Sequence, residues 1–112
     1  MCGITGKVSF TNKPVPPSEV EAMNAAIIHR GPDDGGVYTS PDRHVGLGHR
    51  RLSIIDLSPL GHQPMGYMNR YWIVFNGEIY NFQEHRDALE KEGYSFASRS
   101  DTEVIMALYH KY

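Results

Sequence analysis

The sequence predicts an α+β domain. Two observations carry this. Several short segments alternate apolar and small or polar side chains with a period of two, as half-buried strands do. Three further segments open on capping residues and place apolar side chains at helical spacing. Composition agrees with a folded chain: of 112 residues, 40% are hydrophobic and 21% charged, which is globular usage. This length suits one small domain, over residues 1–112, with an ordinary core.

The elements follow in order. Gly3 to Phe10 reads as a strand, with Ile4, Val8 and Phe10 on one parity and small residues between them. Thr11 to Pro17 is a loop. Ser18 opens a helix with Glu21 three residues on as a capping box. Val20, Met23 and Ile27 form its stripe, and it stops before Gly31-Pro32. His29 to Gly36 is a dense turn segment, either a plain structured loop or one wall of a site. Gly36–Ser40 and Val45–Arg51 read as strands around a Pro41-Asp42 turn, and Leu52 to Leu57 continues extended. Ser58 to Tyr67 is a Gly/Pro-rich loop. Tyr71 to Phe75 is a solidly apolar strand of the kind buried on both faces. Asn81 with Glu84 caps a helix running to about Glu92 and closed by Gly93. Tyr94 to Ala97 is a short strand. Ser100 with Glu103 caps the last helix, whose stripe is Val104, Ile105, Leu108, Tyr109 and Tyr112. That stripe runs to the final residue with no return strand after it.

Charge and cysteine usage narrow the function. The net charge is -2, which gives no electrostatic footprint for nucleic acid or an anionic membrane. One cysteine excludes an internal disulfide framework. No apolar run approaches the length of a membrane span, and Lys7, Asn12 and Lys13 interrupt any signal-peptide core. A cytoplasmic protein is expected. The six histidines show no ligand spacing, so no zinc site is expected, and there is no phosphate-binding glycine loop.

The candidate chemistry begins at Cys2. If Met1 is trimmed, Cys2 carries a thiol and a free α-amine on one residue. Such an amine titrates at about 7.7–8.0 and can take the thiol proton, combining nucleophile and base. A lone cysteine is more often a small buried apolar residue. Asn76-Gly77 is most simply a type I′ hairpin turn. Its other reading is an oxyanion hole, with the Asn76 side-chain amide and the Gly77 N–H donating to a developing anion. Arg50 and Arg51 point to opposite faces of a strand, so one of them can offer its guanidinium fork to a carboxylate; both could equally be solvated. Glu78 and Asp101 could hold an ammonium group, although Asp101 also suits a helix N-terminus by itself.

Six segments together resemble a known family. Met-Cys-Gly-Ile (1–4), His-Arg-Gly-Pro-Asp (29–33), Gly-His-Arg-Arg-Leu-Ser-Ile-Ile-Asp (48–56), Gly-His-Gln-Pro-Met (61–65), Phe-Asn-Gly-Glu-Ile-Tyr-Asn (75–81) and Ser-Asp-Thr-Glu-Val (100–104) are similar to the glutaminase domain of asparagine synthase. That domain is a class II glutamine amidotransferase, an N-terminal-nucleophile hydrolase with an α/β/β/α sandwich, here expected to be incomplete at the C-terminus. The resemblance implies Cys2 as the nucleophile on L-glutamine and Asn76 and Gly77 as the oxyanion hole. It implies Arg51 at the α-carboxylate, with Leu52, Ser53, Ile54 and Ile55 lining the pocket, and Glu78 and Asp101 at the α-ammonium. It implies no cofactor in this segment; ATP and Mg belong to a synthetase domain that would use the ammonia. The alternative is a non-catalytic glutamine-binding or protein-interaction remnant. An unfinished sheet surface would favour self-association.

Overall fold

The computed structural model describes residues 2–52 and 59–112. Strand β1 (Gly3–Val8), β2 (Asp34–Thr39) and β3 (Val45–Arg51) form an antiparallel sheet in the order β1-β3-β2. Gly3 pairs with Arg50 and Val8 with Val45 on one side of β3; Asp34 pairs with Arg51 and Thr39 with Gly46 on the other. Helix α1 (Pro17–Ala26) lies on one face of this sheet. It comes close because β3 presents glycines there. A Cβ on Gly46 would stand 2.5 Å from a Val20 methyl, and one on Gly48 would stand 3.0 Å from Asn24 Oδ1. Val15 and Val20 are fully buried in this layer.

The helix starts one residue before Ser18, with Pro16 as its N-cap and no side-chain cap. The expected Ser18/Glu21 box does not form. Proline at the first helical position has a suitable φ and no N–H to satisfy, so no cap is required. β1 also ends earlier than expected. Its Ile4 and Val8 lie on the face away from α1 and are half exposed, and Phe10 is exposed. Thr5 and Lys7, of the other parity, and not the apolar set, lie on the helix side.

Strands β4 (Met65–Tyr67) and β5 (Tyr71–Ile73) form a hairpin. Its turn is Met68-Asn69, with φ 57° and 52°, and the Arg70 N–H donates to the Tyr67 carbonyl at 3.1 Å. Positive φ at both central positions is what a type I′ turn requires. The hairpin therefore sits here and not at Asn76-Gly77, where neither residue has positive φ and the chain runs on into a helix. β4 falls inside the segment expected to be loop. β5 is not buried on both faces either: it has a ladder neighbour on one side among the described residues, and Trp72 is partly exposed.

Trp72 stacks on Tyr38 of β2, ring centroids 4.0 Å apart, joining the hairpin to the face of the first sheet opposite α1. Met65, Tyr67, Tyr71 and Ile73 take the other parity and turn towards α3 (Asp101–Lys111). α2 (Phe82–Lys91) packs beside α3. Leu89, Val104 and Ala107 are buried there, with Tyr67, Phe82, Tyr94, Phe96 and Leu108 around them. The layers thus run helix, sheet, sheet, helix, the order expected of the sandwich.

The helix ends show which local signals hold. α2 closes as a Schellman motif: Gly93 has φ 99°, its N–H donates to the Glu90 carbonyl at 3.0 Å, and the Tyr94 N–H donates to the Leu89 carbonyl at 3.1 Å. Asn81 precedes α2 without a side-chain capping bond, its amide nitrogen lying 3.1 Å from His85 Nε2 instead, so the expected Asn81/Glu84 cap is absent. Residues 94–97 are irregular and not a strand: the Tyr94 N–H closes α2 and the Ala97 N–H is taken by Glu103. Its carboxylate accepts from the N–H groups of Ala97 (2.9 Å) and Ser98 (2.8 Å) and from the Ser98 hydroxyl (2.6 Å). Ser100 caps α3 as expected, accepting from the Thr102 N–H at 3.0 Å, but Glu103 does not complete the pair: the Ser100 N–H donates to the Ser98 hydroxyl at 3.2 Å. Tyr109 and Tyr112, expected on the buried stripe, are exposed; the buried face is Thr102, Glu103, Val104, Met106 and Ala107.

Candidate active site

Cys2 stands at the start of β1, and its backbone is held in place. Gly3 is paired to Arg50, and the Arg30 Nε–H donates to the Cys2 carbonyl at 3.2 Å. The Cys2 Sγ lies 3.3 Å from the Leu52 amide nitrogen, which donates to it, and 3.5 Å from the Leu52 carbonyl. β3 therefore supplies both the partner of the first strand and, one residue past its end, the group that fixes the sulfur.

The sulfur faces a pocket of about 60 Å³, room for several waters. Its lining includes Cys2, Arg51, Leu52, Gly77, Glu78 and Asp101. These come from four stretches that the sequence singled out, at 1–4, 48–56, 75–81 and 100–104. Strand alternation separates the two arginines as expected: Arg51 lines the pocket, while the Arg50 Nε–H donates to the Gly31 carbonyl at 2.9 Å on the other face. Arg51 is buried, and its guanidinium occupies the space where a side chain on Gly61 would go, with Cζ 2.8 Å from that Cβ position. Asp101, also buried, accepts from the Ile79 N–H at 2.9 Å. Glu78 is exposed at the pocket edge.

Asn76 is exposed and is not among the lining residues, although Gly77 next to it is. Ser53, Ile54 and Ile55 lie outside the described residues.

Four further polar residues of this pocket escaped the sequence reading. His49, Gln63, Ser100 and Thr102 all line the pocket and all are buried. His49 Nε2 lies 3.1 Å from the Phe75 carbonyl, so it carries the proton and donates. Nδ1 is then a bare acceptor, and it is buried with no hydrogen-bond partner. Burial depresses the His49 pKa below the usual histidine value, and the bond to Phe75 only partly opposes this. The imidazole is neutral at physiological pH. Gln63 accepts from the Phe75 N–H at 2.7 Å and donates to the Thr102 hydroxyl at 3.2 Å. Nothing in the periodicity marks a buried glutamine in a Gly/Pro-rich loop; its place in the Gly-His-Gln-Pro-Met motif was the only signal. His62, beside it, is exposed and pairs outside the pocket with Asp34, Nδ1 to Oδ2 2.6 Å.

No described helix is long and apolar enough to cross a membrane.

The whole chain, residues 1–112, matches the family model described as a glutamine amidotransferase domain. It is 48% identical over 118 residues to asparagine synthetase (glutamine-hydrolyzing) 1 of Bacillus subtilis (strain 168), which covers 100% of this chain and 18% of that protein. It is 45% identical over 128 residues to putative asparagine synthetase (glutamine-hydrolyzing) 2 of Methanocaldococcus jannaschii, covering 99% of this chain and 24% of that one. Amidase chry2 of Gibberella zeae is 39% identical over 123 residues, with 100% and 18% covered. The chain thus spans about a fifth of the length of these relatives. With a cysteine at position 2 facing a pocket built from the motifs at 48–56, 61–65, 75–81 and 100–104, it belongs to the glutamine amidotransferase domain family.

Proposed function

We propose that this chain hydrolyses L-glutamine to glutamate and ammonia through a thioester on Cys2, and that the ammonia serves ATP-dependent asparagine synthesis in a cytoplasmic enzyme. The observation that carries this reading is the pocket that joins Cys2 to Arg51, Gly77, Glu78 and Asp101. A cation and two acids suit the zwitterionic end of an amino acid, and a thiol suits attack on its side-chain amide.

In this reading Met1 is removed, and the α-amine of Cys2 takes the thiol proton. The sulfur attacks the amide carbon of glutamine. The oxygen becomes an anion, held by the Gly77 N–H and by the Asn76 side chain, which turns inward over the pocket mouth. The proton passes from the α-amine to the leaving nitrogen, and ammonia departs. Water then attacks the thioester, releasing glutamate and returning the thiol. Arg51 binds the α-carboxylate in a bidentate fork, with Leu52 beside it in the pocket wall. Glu78 and the second oxygen of Asp101 receive the α-ammonium. These steps draw on no cofactor. ATP and Mg would act in the synthetase domain that consumes the ammonia.

The test is direct. The Met1-free protein, incubated with a glutamine analogue bearing a chloroketone in place of the amide, is expected to carry one adduct on the Cys2 peptide, with chloride displaced by sulfur. Excess glutamine should protect it. A folded, Met1-free sample that takes up no label on Cys2 refutes the reading.

A further inference from the structure

We propose that Gln63 is a positioning residue for the Gly77 N–H, setting the oxyanion-binding turn against Cys2 through the Phe75 peptide. The inference rests on the glutaminase reading above and extends it to a residue whose side-chain amide is engaged by the Phe75 N–H and the Thr102 hydroxyl.

No described strand ladder holds this turn. β5 ends at Ile73, and residues 74–76 belong to no ladder. Asn76-Gly77 is not a hairpin turn, so strand pairing does not fix it. The turn hangs instead between two anchors. On one side, the Phe75 peptide is gripped at both ends: its N–H by Gln63 Oε1 at 2.7 Å and its carbonyl by His49 Nε2 at 3.1 Å. On the other, the Ile79 N–H is held by Asp101 at 2.9 Å. The Phe75 ring then sits against Gly77, 2.9 Å from where a Cβ would be. Peptide and ring together leave Gly77 little choice of position.

Gln63 is the member of this set with two fixed ends. Its amide nitrogen donates to the Thr102 hydroxyl at 3.2 Å, and Thr102 lies in the first turn of α3 beside Asp101. Both anchors of the turn therefore refer to the same helix end. Gln63 and Thr102 are 7% and 2% exposed, so water does not compete for these bonds. A buried, fully engaged polar chain holds geometry far better than an exposed one. A donor aimed at a developing anion acts in the transition state, so displacing it slows the chemical step more than it weakens substrate binding.

The test uses Gln63→Met, similar in size but without a strong acceptor for the Phe75 N–H. Amide hydrogen exchange at Phe75 and Gly77 is expected to quicken about tenfold, while the β3 and α1 amides keep their rates. The chloroketone's carbonyl first adds the sulfur as a hemithioketal oxyanion, before sulfur displaces chloride. The limiting rate of Cys2 labelling is therefore expected to fall about tenfold, with the half-saturating concentration within about threefold of the parent. Labelling by iodoacetamide, which forms no oxyanion, should not change. Gln63→Glu keeps an acceptor and should recover most of the rate. Unchanged exchange and labelling in Gln63→Met would overturn the proposal, as would an equal fall in iodoacetamide labelling. If Gln63→Met does not fold, Thr102→Val, which removes only the far end of the Gln63 amide's anchorage, should show the same pattern at about threefold; no change there also overturns it. A parent protein that takes iodoacetamide on Cys2 but no chloroketone would defeat the glutamine reading alone, and the exchange comparison would still decide the role of Gln63.

Discussion

At the scale of single residues, Cys2 and His49 make the sharpest predictions. Cys2 is held by the Leu52 amide and by Arg30, so Cys2→Ser should keep the fold while glutamine hydrolysis falls about a thousandfold or more. Ammonia release and a urea melt check the two halves of that statement. His49 predicts a pH effect on stability. Its pKa is depressed in the folded state, burial being the main cause. Above about pH 6.5 the imidazole is neutral in both folded and unfolded chains. As the pH falls below that value the unfolded imidazole takes up a proton first, so the unfolded state binds more protons and stability drops. The loss grows until the folded pKa is reached. The difference in unfolding free energy between pH 7.5 and 5.5 should therefore shrink in His49→Gln, and an equal difference in both proteins would contradict the assignment.

Among the elements, β3 has the most constrained composition. One face carries Gly46 and Gly48 under α1; the other carries His49 and Arg51 in the pocket. Gly46→Val should lift α1 from the sheet and cost about 1–3 kcal/mol, read as a shift in the urea midpoint. Glu103→Ala strips partners from two backbone amides and the Ser98 hydroxyl. It should cost about 2–3 kcal/mol and speed exchange at Ala97 and Ser98 before the rest of α3 is affected. The strands of the first sheet, the last helix with its Ser100 cap and the Gly93 stop were legible in the sequence, because each depends on neighbours within a few residues. The pairing of α1 with a glycine track was not, since it needs two distant segments together. The Asn-Gly dipeptide misled for the same reason. Its usual turn is a local preference, and here Gln63, His49 and Asp101, all distant in sequence, override it. Arg51, Glu78, Asp101 and Cys2 were legible as a set only through the order of the motifs; spacing alone said nothing of the pocket that gathers them.

The whole molecule is a slab, 44 × 31 × 19 Å. Its apolar interior is divided: Val15 and Val20 lie under α1, and Leu89, Val104 and Ala107 between α2 and α3. Ile4, Val8 and Phe10 on one side and Tyr109 and Tyr112 on the other are exposed. This much uncovered apolar surface predicts self-association of the isolated chain, seen as a sedimentation coefficient that rises with concentration; a single monomeric value at all concentrations would count against it. The pocket sits on the seam between the two interiors. Cys2, His49, Arg51 and Leu52 come from the α1 side, and Gln63, Gly77, Glu78, Asp101 and Thr102 from the α3 side. A ligand with a charged group for each bank thus acts as a clasp. Parting the halves would lose the site before either half melts, and filling the site would hold them closed. Glutamate, the expected product, at a hundred times its dissociation constant should raise the unfolding free energy by about 2.7 kcal/mol. Substituting Arg51 on one bank should abolish that gain as completely as substituting Asp101 on the other.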